Sequence, residues 1–496
     1  EMAQKSMTLL QNKNNVLPLN KATGKIAIIG PNADNEPMLW GNYNGTPVKT
    51  ITIKDGIESK IDAKNIFYDK ACDLVEDKVT QTYFDQISFE GKKGMKATYW
   101  NNPNREGNSV ATQQIVNPIK ITTAGQHEFA SGVKLEGFSG KYETEFTAKT
   151  SEKLVFKTGA TGAFELLVDG KSVAKYTNWR TIPSNFSFDV TAGKKYKIEI
   201  LFAQSNNWQA NLEFDFGKEY DINFGALIEK LKGIDTVIFA GGLSTLLEGE
   251  EMPVSYPGFK GGDRTNIDLP AVQRMCLKEL KAAGKKVIFV NCSGSAIALT
   301  PETASCDAIL QAWYPGEAGG QAVADVLFGD YNPAGKLPIS FYKNSEKLGD
   351  FEDYSMKGRT YRYTTDVLFP FGFGLSYSKF DIGTAKLSKT TIKSNENTQL
   401  SFPIQNISKR DGTEIVQVYV RKLNDPDGPL KTLKAFKRID LKAGEKQNIT
   451  IDLPASSFEF YDSKIIGMNV TSGEYEVYYG NSSDANDLKM TKITIQ

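Results

Sequence analysis

Four short, almost wholly apolar runs constrain this chain more than any other feature: KIAIIG (25–30), IDTVIFAGG (234–242), KKVIFVNCSG (285–294) and DAILQAWYPG (307–316). They are rich in β-branched residues, too short for buried helices, and bounded by Gly, Pro or Asn. An uninterrupted apolar strand belongs in a sheet covered on both faces, and the helical pattern between the runs (271–283 among them) supplies crossovers for a largely parallel sheet. Residues 1–92 open this α/β pattern, with an amphipathic helix over 2–12 and a Gly30-Pro31-Asn32 turn after the first run. Residues 220–345 resume it. Neither part alone is long enough for a full sheet, so the two read as one discontinuous domain.

The intervening 93–219 follow a different rule. GMKATYW, KYETEFTAK, KLVFKTG, AFELLVDGK, NFSFDVTAGKKYKIEILFAQ and QANLEFDFG alternate apolar and polar residues between Gly, Asn and Lys turns. This is the period of antiparallel strands with one face inward, here a β-sandwich. A surface loop tolerates such an insertion when the inserted ends lie close together. After a connector (346–377) ending in FPFGFGLSYS, alternation returns over 378–496 in TQLSFPIQN, EIVQVYVRK, QNITIDLP, GEYEVYYG and KMTKITIQ. That spacing fits a fibronectin type III-like sandwich. The expected fold class is therefore multidomain α/β plus all-β.

Composition removes several functions. At 496 residues the chain exceeds one ordinary core. Lys+Arg and Asp+Glu balance at 59 each, leaving no basic excess for nucleic acid. A single histidine, His127, read as a surface or structural residue, rules out poly-His metal sites, and no metal or cofactor is expected. Cys72, Cys276, Cys292 and Cys306 lack C-x-x-C spacing and read as buried free thiols. No apolar run reaches the roughly 18 residues of a membrane span. The chain opens at Glu1 inside a helical pattern, as a fragment or processed product would.

Chemistry concentrates in LEGEEMPVSYPGFKGGDRTNIDLP (247–270). Glu248, Glu250 and Glu251 follow a strand directly, on a Gly- and Pro-rich loop, where α/β proteins place reactive side chains. A carboxyl there serves as a proton donor if its surroundings hold the proton, and is otherwise a solvated acidic loop. IGPNAD follows a strand as phosphate loops do, but neither G-x-G-x-x-G nor G-x-x-x-x-G-K-[ST] accompanies it.

These stretches, with SMTLLQNKNNVLPL (6–19), LWGNYNG (39–45), QAWYPGEAGGQAVADVLFGDYNPAGKLPISFY (311–342), GRTYRY (358–363), FPFGFGLSYS (369–378), QNISKRDGTEIVQVYV (405–420) and SGEYEVYYGNSS (472–483), resemble glycoside hydrolase family 3. That is the β-glucosidase and β-xylosidase family, and the resemblance is to its C-terminal portion. GMKATYW and LLVDGK make the insert similar to the protective-antigen-like sandwich of some members. It lacks their pair of calcium-holding aspartates, so a wall restricting the site to chain ends is the expected role.

The resemblance implies an exo-acting retaining glycosidase. Its aspartate nucleophile would lie on a (β/α)8 barrel absent from this chain, supplied by the same gene or a separate chain, and its acid/base glutamate on the α/β domain. Two carboxylates about 5–5.5 Å apart are what retention requires. Laid on the family's Glu-x-Glu-Gly pattern, Glu250 is the acid/base, with Glu251 and Glu248 as alternatives because 252–262 lengthen the loop. Asp263 and Arg264 would brace the loop as an ion pair. Trp40, Asn42 and Tyr43 are either sugar-pocket residues or a turn with core aromatics, whereas YPGEAGG reads as a helix start. GNYNG favours a β-xylosidase acting on oligosaccharide non-reducing ends. A β-glucosidase and a non-catalytic carbohydrate-binding or assembly fragment remain open, and the family implies an extracytoplasmic (periplasmic or secreted) location.

Overall fold

The structure, a computed structural model, describes every residue except 23, 46, 124–127, 180, 205–209 and 253, so His127 lies outside the described residues. The chain forms two compact units, one of residues 1–44, 49–75 and 223–496, the other of residues 45–48 and 76–222.

The first unit is built on a six-stranded sheet. Its strands are β1 (Thr8–Asn12), β2 (Ile26–Ile29), β3 (Ile66–Asp69), β4 (Thr236–Gly242), β5 (Lys286–Cys292) and β6 (Ala308–Gln311), in the order β1-β6-β5-β4-β2-β3. All neighbours are parallel except β1, which runs antiparallel to β6. The apolar runs are unbroken because both faces are covered. Ile26, Ile28, Ile238, Ile288 and Leu310 share one core with Ile53 and Ile57 of α1 (Ile53–Glu58) and with Val323 and Leu327 of α3 (Gly319–Leu327). On the other face α2 (Ala271–Ala282) packs on β4 and β5 and buries Val272, Cys276, Leu277 and Leu280. The start of α1 is held by a reciprocal cap between Thr52 and Asp55.

The amphipathic helix expected over 2–12 is instead a short helix, Met2–Ser6, followed by β1. Thr8, Leu9 and Leu10 are all buried, a run of consecutive positions that suits a strand with both faces covered better than one helical stripe. Leu375 closes the far side of β1, its N–H donating to the Leu9 carbonyl at 2.8 Å.

The second unit holds an eight-stranded and a five-stranded sheet, paired antiparallel throughout. Inward aromatics, among them Tyr142, Phe146, Phe156, Phe164 and Phe216, fill one core. The boundary expected at residue 93 is corrected to 76. Lys78–Thr82 pairs with Asn211–Asp221, and Ile87–Phe89 with Ser139–Thr147, so residues that looked like the end of the α/β region belong to these sheets.

Residues 378–496 fold into two facing sets of strands around Leu400, Phe402, Val416, Val418, Tyr475 and Val477. They join the α/β part through a nearly buried ion pair, Lys336 to Glu414 at 2.9 Å, and through Gln417, whose amide donates to the Gly372 carbonyl at 3.0 Å. In the connector Tyr361 stacks on Phe371 with centroids 4.2 Å apart.

All four cysteines are free and buried. Burial pushes the Cys292 and Cys306 thiols far above their usual range. A water-soluble disulfide reagent should therefore titrate none of them in the native protein and all four after denaturation. Rapid native labelling of any one would contradict the packing around it.

Candidate active site

From β2 the chain moves outward to β3, whereas from β4 it moves the opposite way to β5 and then β6. The strand order therefore reverses between β2 and β4, and such sheets open a crevice beyond the carboxyl ends of those two strands. The loop after β4 carries Glu248, Glu250 and Glu251; the loop after β2 carries Trp40, Asn42 and Tyr43.

Backbone contact ties these loops together at their roots. Gly30 has φ 109°, and a Cβ there would stand 2.2 Å from the Ala240 carbonyl oxygen, so only glycine permits the approach. Beyond it, the Asn32 N–H donates to the Ala240 carbonyl at 3.0 Å and its side-chain amide to the Leu243 carbonyl at 2.9 Å. The Asn32 N–H is thus taken up by β4, unlike the free amides of a phosphate-binding turn. On the far side of β4, the Gln273 side chain from α2 brackets Gly242, accepting from its N–H at 2.7 Å and donating to its carbonyl at 2.8 Å.

The glutamate loop then closes on itself. The Ser244 hydroxyl accepts the Leu246 N–H, its carbonyl accepts from Leu247 and Glu248, and buried Leu243 and Leu247 seat the turn. In the lengthened part of the loop Ser255–Tyr256, Phe259–Lys260 and Asp263–Arg264 pair as small antiparallel strands. Gly249 N–H meets the Gly262 carbonyl at 3.0 Å and Met252 N–H meets Gly261 at 2.9 Å. The excursion leaves and rejoins at one place, so Asp263 and Arg264 stand beside the glutamates despite the extra residues.

The three glutamates have different surroundings. Glu248 is half-buried, and its Oε1 accepts from the Tyr314 hydroxyl at 2.6 Å and from the Gly294 N–H at 3.4 Å. Its backbone carbonyl accepts from the Asn42 amide at 3.1 Å. Glu250 is exposed and is hydrogen-bonded to the hydroxyl of Tyr43, itself 85% exposed. Glu251 is exposed and has φ 47°. Burial pushes the Tyr314 phenol well above its usual range, and the Glu248 carboxylate adds to that, so this hydroxyl remains a neutral donor.

The expected ion pair between Asp263 and Arg264 is not formed among the described residues. Asp263 is exposed, while the Arg264 guanidinium donates to the Ser295 hydroxyl at 3.2 Å and to the Ala296 and Asp268 carbonyls at 2.9 and 3.2 Å. Arg264 thus ties the glutamate loop to the turn after β5. Burial lowers its pKa, and Glu248, Tyr314 and Asp268 act against that shift. Asn42 and Tyr43 join the glutamate loop, but Trp40 packs against the core and donates its indole N–H to Thr50 at 2.9 Å.

Tyr314, Gln273 and the buried set Asn291, Ser293 and Gln311 were missed in the sequence. Gln311 accepts from Asn291 at 2.5 Å and donates to the Ser293 hydroxyl at 3.0 Å. For Asn291, Ser293 and Gln311 the signal is a polar residue at or just past the end of an otherwise apolar strand. Among the described residues no cluster of three His, Cys, Asp or Glu is placed to hold a metal ion, and no helix is long and apolar enough to cross a membrane.

The family model of the glycosyl hydrolase family 3 C-terminal domain matches residues 7–377. The chain belongs to glycosyl hydrolase family 3. A fibronectin type III-like model matches 414–483. Among family relatives, a xylan 1,4-beta-xylosidase of Xylanibacter ruminicola is 52% identical over all of this chain and 57% of its own length. A beta-xylosidase of Formosa agariphila is 33% identical over 61% of this chain and 42% of its own length. A beta-glucosidase of Kluyveromyces marxianus in complex with glucose shares the fold, with TM-score 0.73 at 23% identity over 100% of this chain and 61% of that one. The chain thus spans less than two thirds of the length of these relatives.

Proposed function

We propose that this chain is the acid/base-bearing portion of an exo-acting retaining β-glycosidase that releases xylose from the non-reducing ends of oligosaccharides. The observation that carries the reading is the convergence of four strand-end loops on Glu248 and Glu250 at the point where the strand order reverses. Support for the sugar comes from the relative named a xylan 1,4-beta-xylosidase, which matches the chain end to end.

Glu250 is the proposed general acid/base. Glu248 has an oxygen committed to Tyr314 and Gly294, which suits an anchor more than a group exchanging protons with substrate. Glu250 is exposed, and the Tyr43 hydroxyl from the loop after β2 donates to it. The nucleophile would come from the part of its relatives that this chain does not span, a (β/α)8 barrel, about 5–5.5 Å from the Glu250 carboxyl. Residues 76–222, with two antiparallel sheets over an aromatic core, are proposed as the protective-antigen-like sandwich. A periplasmic beta-glucosidase of Salmonella typhimurium, 34% identical over 45% of this chain, supports an extracytoplasmic location.

The relatives named beta-glucosidase, 26–27% identical over nearly the whole chain, favour glucoside hydrolysis as the second reading. Xylose lacks only the hydroxymethyl group of glucose, so the choice depends on a small contact. The complete protein is expected to show a kcat/KM on aryl β-xyloside at least about tenfold above aryl β-glucoside. Arabinofuranoside should be poorer than xyloside, and proton NMR should detect β-xylose before α-xylose. Faster glucoside cleavage would transfer the assignment to the second reading, α-xylose appearing first would remove retention, and no turnover would leave a non-catalytic carbohydrate-binding module.

A further inference from the structure

We propose that Tyr314 is a positioning residue for the proton donor, holding Glu248 and so fixing where Glu250, two residues on, can stand. The inference rests on Glu250 as the acid/base. Tyr314 follows β6, bonds to the loop after β4 and lies near the loops after β5 and β2. Its hydroxyl donates to Glu248 on the loop after β4 at 2.6 Å. Its ring lies so near the turn after β5 that a Cβ on Gly294 would stand 3.1 Å from Cε2. Its Cβ is 3.9 Å from where a Cβ on Gly41 would lie, in the loop after β2.

A second, independent feature marks the same place. Trp313, immediately before Tyr314, has φ 62°, a left-handed conformation that is unfavourable for a bulky residue and persists only where surroundings enforce it. Here the enforcing contact is the Trp313 indole N–H, which donates to the Ser6 carbonyl at 3.0 Å. The backbone is thereby held in an unfavourable turn at the residue that delivers the phenol to Glu248. A helix start alone would need neither the left-handed residue nor the hydroxyl.

The reach of this anchor is short. From Glu248 the chain passes Gly249, whose N–H is fixed on Gly262, and arrives at Glu250. Removing the phenolic hydroxyl leaves a half-buried carboxylate with the long Gly294 contact and the nearby Arg264, and it loosens the side-chain anchor of a turn whose backbone is still held by Asn42 and Gly262. Proton donation to a leaving oxygen needs heavy atoms about 2.6–3.2 Å apart. A displacement near 1 Å is enough to lower the rate by up to about 100-fold.

The test is Tyr314→Phe in the complete protein, compared on xylobiose, whose leaving group must be protonated, and on dinitrophenyl β-xyloside, whose leaving group departs without a proton. The expected result is a fall of about 10- to 100-fold in kcat/KM for xylobiose, with dinitrophenyl xyloside changed by no more than about twofold. Equal loss on both substrates, or no loss on either, overturns the proposal, since a general structural role would not discriminate between leaving groups. If Tyr314→Phe does not accumulate as folded protein, Glu248→Gln and Glu248→Ala probe the contact from its other side. The Gln variant keeps an acceptor for the phenol and should retain at least about tenfold more xylobiose activity than Ala; equal activities overturn the proposal. Should Glu250→Ala itself fail to discriminate between the two substrates, the acid/base assignment falls instead.

Discussion

In the complete protein Glu250→Ala is expected to lower kcat/KM for xylobiose by about 10²–10⁴-fold, while kcat/KM for dinitrophenyl β-xyloside falls far less. The difference follows from the leaving groups. A sugar alkoxide is too basic to depart without a proton, whereas dinitrophenolate leaves unaided, so only the first reaction needs the acid. In the proposed mechanism the same carboxylate later acts as base on water. Turnover of the activated substrate should therefore stall at the glycosyl-enzyme, and azide, which needs no base, should restore kcat and yield a β-xylosyl azide. Glu251→Ala should leave both substrates within about threefold, as expected for an exposed carboxylate outside the chemistry. Equal losses on both substrates in Glu250→Ala would remove Glu250 from this role, and a leaving-group signature in Glu251→Ala would reassign it.

The second large effect concerns stability and its sign. Gly56 and Gly320 mark the place where α1 and α3 cross backbone to backbone. A Cβ on Gly320 would stand 1.8 Å from the Thr52 carbonyl oxygen, and one on Gly56 would stand 2.1 Å from the Gly320 oxygen. Each glycine lies inside a helix, where alanine is ordinarily preferred by about 1 kcal/mol. Propensity alone would make Gly56→Ala and Gly320→Ala stabilising. The contact argues the opposite, because backbone atoms rather than the ends of flexible side chains must give way. Each variant should be destabilised by roughly 3 kcal/mol or more, read from the denaturant midpoint at unchanged slope. Stability equal to or above that of the parent would show that the two helices separate at little cost.

The sheet was legible because its strands carry their own evidence. Runs such as TVIFAGG are apolar at every position, and only a sheet covered on both faces buries every position. The second unit was legible from alternation, as in 196–202, where buried and half-buried residues follow one another. Misreadings fell where a segment's pattern is shared by two structures. Leu9 and Leu10 suit a helix or a covered strand, and the presence of β6 and Leu375 alongside decided for the strand. Residues 78–82 are mostly exposed and carry little pattern, so their place is visible only from the pairing with 217–221.

The candidate site was half legible. Three glutamates after an apolar strand marked the loop, and their likeness to a family pattern singled out Glu250. Tyr314 went unrecognised because YPGEAGG satisfies a simple reading as a helix start, and nothing adjacent in sequence reveals a phenol directed at a carboxylate. Arg264 was read with its neighbour Asp263, although its partners are at 268, 295 and 296.

By itself the order of residues determined that an antiparallel β region interrupts a mainly parallel sheet, that a terminal sandwich follows, and that acidic residues gather after β4. Periodicity and local composition carry that information without reference to distant segments. Only the tertiary structure decided which glutamate is anchored and which stays exposed. The groups that settle it, Asn42, Gly294 and Tyr314, stand 206, 46 and 66 residues from Glu248 and come within bonding distance only where the strand order reverses.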